Sequence, residues 1–140
     1  MDIRDGRLLS VIIPSYNEQD MIGKTFYTVK EILDREQIPF EILFVDDGSR
    51  DLTYPNISRL SAANPEVKGI SFSRNFGKES AIFAGLESAA GNCCVIMDCD
   101  LQHPPETIVP MYRLWEEGYE VVEGRKASRG RENPLHTLCA

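Results

Sequence analysis

Apolar residues follow two rhythms along this chain. Short runs, "LLSVIIP" (8–14), "FEILFVDDG" (40–48), "VKGISFS" (67–73) and "NCCVIMDCD" (92–100), have the length and bounding turn residues of buried strands. Between them the apolar positions spread to helical spacing. From Glu18 to Glu36, Ile22, Phe26, Val29 and Leu33 form one stripe, with Asn17 as the expected N-cap and Glu18 and Asp20 in the first turn. A shorter helix with Pro55 near its start turns Ile57 and Leu60 inward. A small-residue helix over 77–91 is expected to end on Gly91 as its C-cap. Pro104 and Pro105 open another, with Ile108, Met111, Tyr112 and Trp115 on one face and Gly118 closing it. "YEVVEGRK" (119–126) predicts a fifth strand. Strands separated by helices predict an α/β fold, a mainly parallel sheet with helices on both faces.

Length and composition narrow the class without choosing a function. The 140 residues suffice for one domain with a core, and 42% hydrophobic residues are too many for a disordered chain. A net charge of -7 argues against general nucleic-acid binding, yet leaves room for local basic clusters that hold a small anion. No run approaches the roughly 20 apolar residues of a bilayer span, and "MDIRDGRLLS" has no signal-peptide core. Cys93, Cys94, Cys99 and Cys139 lack CxxC spacing and read as thiols in a reducing cytoplasm. The tail from residue 127 to 140, "ASRGRENPLHTLCA", reads as a loop.

The chemistry-bearing residues collect at the predicted strand ends: "PSYNE", "DDGS", "SRNFGKE" and "DCDLQ". In an open parallel sheet, ligands bind beyond the carboxyl ends of the strands. Strand alternation puts Asp98 and Asp100 on one side and Cys99 on the other. Two carboxylates so close stay ionised together only if a cation holds them, and hard oxygen donors favour Mg2+ or Mn2+. Gln102 adds a carbonyl oxygen. A helix-capping turn ahead of Pro104 explains the same two aspartates. Asp46 and Asp47 read either as a turn or as acceptors for a base or ribose, and Tyr16 as a stacking ring beside Glu18. Arg74 and Lys78 sit where a helix start favours an anion. Arg125, Arg129 and Arg131 form a second basic cluster. Carboxylates, a cation and basic groups together suit a diphosphate whose departure the metal assists.

The segments "SVIIPSYNE", "VDDGS", "SRNFGKESAIFAGL", "MDCDLQHPPE" and "EVVEGRKASRGRE" resemble family-two glycosyltransferases of GT-A fold, over residues 8–132. The resemblance is nearest to the branch that transfers a sugar from a nucleotide donor to a polyprenyl phosphate, undecaprenyl or dolichyl. It implies that Pro14, Tyr16, Glu18, Asp46 and Asp47 line the nucleoside pocket, and that Arg74 and Lys78 border the diphosphate. It further implies that Asp98, Asp100 and Gln102 hold the metal, with Asp98 also on the donor. It implies too that Arg125 and Arg131 are catalytic cations of the acceptor loop, holding the diphosphate and the acceptor phosphate. The resemblance also implies a UDP or GDP sugar as donor and inversion of the anomeric centre. No general base stands out, and a phosphate acceptor needs none, because its second pKa of about 6 leaves it anionic at neutral pH.

Members of this branch continue well past this point, adding the rest of the acceptor region and usually amphipathic and transmembrane helices, so residues 1–140 are expected to be the N-terminal portion of one nucleotide-sugar-binding domain. The full-length protein is expected in the cytoplasm, at the cytoplasmic face of the membrane. Exposed apolar surface on a partial domain predicts self-association. A non-catalytic nucleotide-sugar-binding module is the alternative function. A signalling receiver fits less well, since its paired acids follow the first strand.

Overall fold

The computed structural model describes residues 6–124 and 138–139. The chain divides between Pro105 and Glu106 into two compact units. In the first, strands β1 (Leu9–Ser15), β2 (Phe40–Asp46), β3 (Val67–Ser71) and β4 (Cys93–Ile96) form one sheet in the order β3-β2-β1-β4. Every pairing is parallel, with Leu9 opposite both Phe40 and Cys93, and Ile42 opposite Val67. The helices are α1 (Ile22–Arg35), α2 (Thr53–Ala63) and α3 (Lys78–Ser88).

Parallel strands need long crossovers, and crossovers are right-handed, so a reversal of strand order moves the helix to the other face. The chain steps outward from β1 to β2 to β3, then returns past β1 to β4. Accordingly α2 lies over the face of Gly69, whose Cβ position would meet Ile57 at 2.7 Å, while α3 lies over Ile12 and Val45 on the opposite face. Gly85 allows this second approach: a Cβ there would stand 2.5 Å from Ile12 Cγ2. The predicted stripe of α1 is fully buried, from Ile22 and Phe26 to Val29 and Leu33, as are Val11, Ile12, Ile13 and the run Ile42–Val45. Each such side chain contributes about 1.5–3 kcal/mol on burial.

Several boundaries differ from the sequence expectation. Asn17 is not the N-cap of α1; that position falls to Met21, and Asn17 adopts a left-handed φ of 53°. Its side chain is drawn elsewhere, accepting the Arg50 N–H at 3.0 Å. Gly91 is not the cap of α3, which closes at Ala89. Glycine is needed at 91 for close approach, because a Cβ would lie 2.4 Å from Ser10 Oγ. The strand β4 stops at Ile96 instead of reaching Asp100, and Leu101 turns the chain with φ 60°.

The second unit holds α4 (Ile108–Glu116), preceded by a 3-10 turn at Pro105–Thr107, with Ile108 and Tyr112 buried. The fifth strand shrinks to β5 (Val121–Val122), which pairs antiparallel with β6 (Leu138–Cys139). Leu138 and Cys139 therefore contribute backbone pairing within the stretch expected to be a loop; the rest of that stretch lies outside the described residues. A two-residue strand has no periodicity to betray it.

Candidate functional site

A parallel sheet delivers all its carboxyl ends to one edge. Here that edge carries Tyr16 and Glu18 after β1, Asp46 and Asp47 at β2, Arg74 after β3, and Asp98 and Asp100 after β4. The reversal of strand order falls between β1 and β4, the point where a crevice opens in such sheets. Glu18 lies on one side of it and Asp98 and Asp100 on the other.

Two loops fix Glu18. Asn17 N–H donates to Ser49 Oγ at 2.8 Å, Glu18 N–H to Thr53 Oγ1 at 2.8 Å and Gln19 N–H to Asp51 Oδ2 at 3.3 Å. In return Leu52 N–H donates to Gln19 Oε1 at 2.9 Å. Residues 17–19 and 49–53 are thus laced into one frame. The Glu18 carboxyl is held above its usual pKa, first by burial and then by the charges of Asp100, Asp51 and Asp98. Three acidic neighbours acting on one carboxyl make this a site of concentrated negative potential.

The turn carrying Asp98 and Asp100 is anchored through the residue between them. Cys99 is 2% exposed; Thr25 Oγ1 donates to its carbonyl at 2.5 Å. Burial pushes its thiol up to about 11, although Ser15 and Thr25 hydrogen bonds pull the other way. Cys99 therefore points inward while its two neighbours stay half-exposed, as alternation predicted, although the geometry comes from a turn. The carboxylates then take different partners. Asp98 Oδ1 lies 2.6 Å from Lys78 Nζ, and Asp100 Oδ1 accepts the Gln102 N–H at 3.2 Å. The Gln102 side chain is exposed.

At β2 the two aspartates have separate duties. Asp47 is buried, with its carboxylate accepting Phe76 N–H at 2.8 Å, Gly77 N–H at 3.1 Å and Asn75 Nδ2 at 3.2 Å. It fixes the turn that leads into α3, and so the position of Lys78. Gly48, at φ 73°, passes so close to this turn that a Cβ would meet the Arg74 carbonyl carbon at 2.3 Å. Asp46, 3% exposed, accepts the Ser49 N–H at 3.1 Å. Pro14 is half-buried on β1, and Tyr16 is 45% exposed at the rim.

Arg74 and Lys78 do not stand together as an open anion site. The Arg74 guanidinium lies 4.3 Å from the centre of the Phe76 ring, and Lys78 is paired with Asp98. Arg125 and Arg131 lie outside the described residues. Sequence reasoning missed Thr25, Asp51 and Thr53, whose hydrogen bonds hold the site's loops. The Asp51-x-Thr53 spacing, in which Asp51 Oδ1 accepts the Thr53 N–H at 2.9 Å, was the available signal.

The donor chemistry of the crevice suits a hard divalent cation, and one cation, the Lys78 ammonium, already stands on Asp98. Among the described residues no three His, Cys, Asp or Glu side chains are arranged to hold a metal ion. The residue types fit such an ion; their present arrangement is that of carboxylates occupied by internal partners.

A four-stranded parallel sheet with acidic residues at its switch point defines a doubly wound α/β class, and comparison with known proteins identifies the family. Residues 10–137 match the family model "Glycosyl transferase family 2", and the chain belongs to that family. It is 45% identical over 123 residues to the uncharacterized glycosyltransferase YkcC of Bacillus subtilis, covering 88% of this chain and 38% of that protein. It is 37% identical over 132 residues to the bactoprenol glucosyl transferase of Shigella phage SfV, covering 94% of this chain and 43% of that one. The chain thus spans about two-fifths of the length of these relatives.

Among solved structures, TarS of S. aureus superposes with a TM-score of 0.66 at 25% identity, over 90% of this chain and 38% of that one. A Pyrobaculum calidifontis mannosyltransferase, in complex with GDP-Man and Mn2+, superposes with a TM-score of 0.59 at 25% identity, over 74% of this chain and 30% of that one. The fold is GT-A.

Proposed function

We propose that this chain forms the donor-binding part of an inverting glycosyltransferase that moves a hexosyl group from a nucleoside-diphosphate sugar to a polyprenyl phosphate. The observation that carries the reading is the convergence of Glu18, Asp98 and Asp100 on the β1/β4 crevice, with Lys78 beside them. The relatives support it: one is a bactoprenol glucosyl transferase, and structural neighbours hold GDP-Man with Mn2+ or UDP.

In this reading Pro14, Tyr16, Asp46 and the 17–19/49–53 frame form the nucleoside end of the pocket. Asp98 and Asp100, with Gln102, would hold a divalent cation. Bound there, the cation would supply Lewis-acid chemistry to the departing diphosphate. Lys78 and Arg74 supply positive charge to the same oxygens. An acceptor phosphate oxygen bonds to the anomeric carbon as the bond from that carbon to the diphosphate oxygen breaks, and the nucleoside diphosphate leaves with the electron pair. The acceptor oxygen is already anionic, so the protein's task is to orient reactants and stabilise charge. Arg125 and Arg131 are assigned to the phosphates. A polyprenyl acceptor places the full-length protein at the cytoplasmic face of a membrane; among the described residues no helix is long and apolar enough to cross one.

Calorimetric titration with UDP, GDP and UDP-glucose, with Mn2+ and with chelator, tests this. The expected result is binding of one nucleotide that requires metal and is lost in Asp100→Ala. Binding indifferent to chelator and to the substitution would place the nucleotide elsewhere.

A further inference from the structure

Lys78 is in an unfavourable place for a lysine. It is the first residue of α3, where the unpaired backbone N–H groups and the helix dipole repel a cation, and its side chain is 59% exposed. Burial does not account for it, and the helix dipole opposes it. What it does have is a partner: its ammonium lies 2.6 Å from Asp98 Oδ1, across 20 residues of sequence. The contact is prepared on both sides. Asp47 fixes residues 75–77 through Asn75 Nδ2 and two backbone N–H groups, and Gly77 takes φ 106° to start the helix there. Opposite, Thr25 pins the turn that presents Asp98.

We propose that Lys78 is a resident counter-ion, which neutralises Asp98 and must be displaced before that carboxylate can accept a divalent cation. This rests on the reading of Asp98 and Asp100 as metal-holding residues. The crevice is crowded with negative charge from Glu18, Asp51, Asp98 and Asp100, and an ammonium on a flexible stem relieves it without fixing the site in the loaded geometry. On displacement, Lys78 moves its charge from carboxylate to diphosphate. Metal alone must compete with the lysine, whereas metal arriving with a diphosphate offers the lysine a new anion. Lys78 thereby couples metal binding to nucleotide binding, as a positioning residue for the cation.

The test is the affinity of the 140-residue chain for Mn2+ alone, read from the electron paramagnetic resonance signal of free Mn2+, and then with UDP or GDP added. Lys78→Met is expected to bind Mn2+ alone about fivefold more tightly than the unmodified chain, the scale of one half-exposed ion pair. The same variant should lose most of the enhancement that nucleotide gives, and Lys78→Arg should retain it. Circular dichroism melts of both variants check that the fold is unchanged. Unaltered or weaker Mn2+ binding in Lys78→Met, with binding abolished in Asp98→Asn, overturns the counter-ion role and leaves the metal reading standing. Failure of every variant to bind Mn2+, with or without nucleotide, overturns both.

Discussion

Glu18 shows how a residue can serve a site at the expense of the fold. Its pKa is raised, so the unfolded chain ionises Glu18 at lower pH than the folded protein does. Below the usual carboxylate range both states are protonated and nothing is lost. As pH rises past 4.5 the unfolded state ionises first, and ionised Glu18 then opposes folding at neutral pH. Glu18→Gln should therefore raise the melting temperature of the metal-free chain at pH 7, with the gain vanishing as the pH falls below 4.5. A scanning calorimeter run at several pH values reads this directly. A melting temperature that falls at pH 7 would mean the carboxylate has a favourable partner that the acidic field does not reveal. Asp47 is the opposite kind of residue, a buried carboxylate whose bonds to three nitrogens make it structural despite its place in a motif.

Among the elements, two glycines in helices make opposite predictions. Gly23 in α1 has no atom within 4 Å of its Cβ position, so Gly23→Ala should stabilise by up to about 1 kcal/mol through helix propensity. Gly85 in α3 gains the same propensity, but its added methyl meets Ile12 at 2.5 Å, and overpacking costs about 1–3 kcal/mol. Gly85→Ala should be destabilising in urea titration; stabilisation there would show that α3 lifts off the sheet easily. These elements also show what the sequence disclosed. The stripe Ile22, Phe26, Val29, Leu33 and the runs ending in Val45 and Ile96 were legible because burial imposes a period on the chain. The gathering of polar groups at strand ends was legible for the same reason, since strand ends are where the period breaks. Asn17 was misread as a cap because its competing partner, Arg50, is distant in sequence and adjacent only after folding. Gly91 was misread similarly, its true constraint being Ser10. The pairing of Lys78 with Asp98 was also hidden: both residues were picked out, but each was assigned to an absent ligand and not to the other.

At the scale of the whole molecule, the two edges of the sheet are built for different work. Opposite the crevice, buried Glu41 accepts Ser10 Oγ and Ala90 N–H, each at 2.6 Å, and lies 2.8 Å from Lys68 Nζ. Burial pushes its pKa up, and those three partners more than reverse this, so the group stays charged and joins β1, β2, β3 and the turn before β4. Among the described residues the crevice edge has no such charged hub for β4, and the turn after it is held by the hydrogen bond from Thr25 Oγ1 to the Cys99 carbonyl. That strand is four residues long, with Cys94 and Ile96 exposed, and it is the partner of β1 most distant along the chain. The β1–β2 contact Ser10–Glu41 closes 31 residues, while Leu8–Asn92 closes 84. Loop-closure entropy makes the second closure costlier by only about 0.9 kcal/mol, but β4 recovers less of it through burial than β2 does. The strand order β3-β2-β1-β4 therefore predicts that three strands persist while the fourth opens and closes. Because Asp98 and Asp100 hang from β4, the site exists only while that strand is docked. Amide exchange should show it: the Met97 N–H, bonded to the Ile12 carbonyl at 3.0 Å, should exchange well before the Ile42 N–H, bonded to the Glu66 carbonyl at 2.8 Å. Equal protection would mean that the sheet opens as one body, and that the crevice is as durable as the core beneath it.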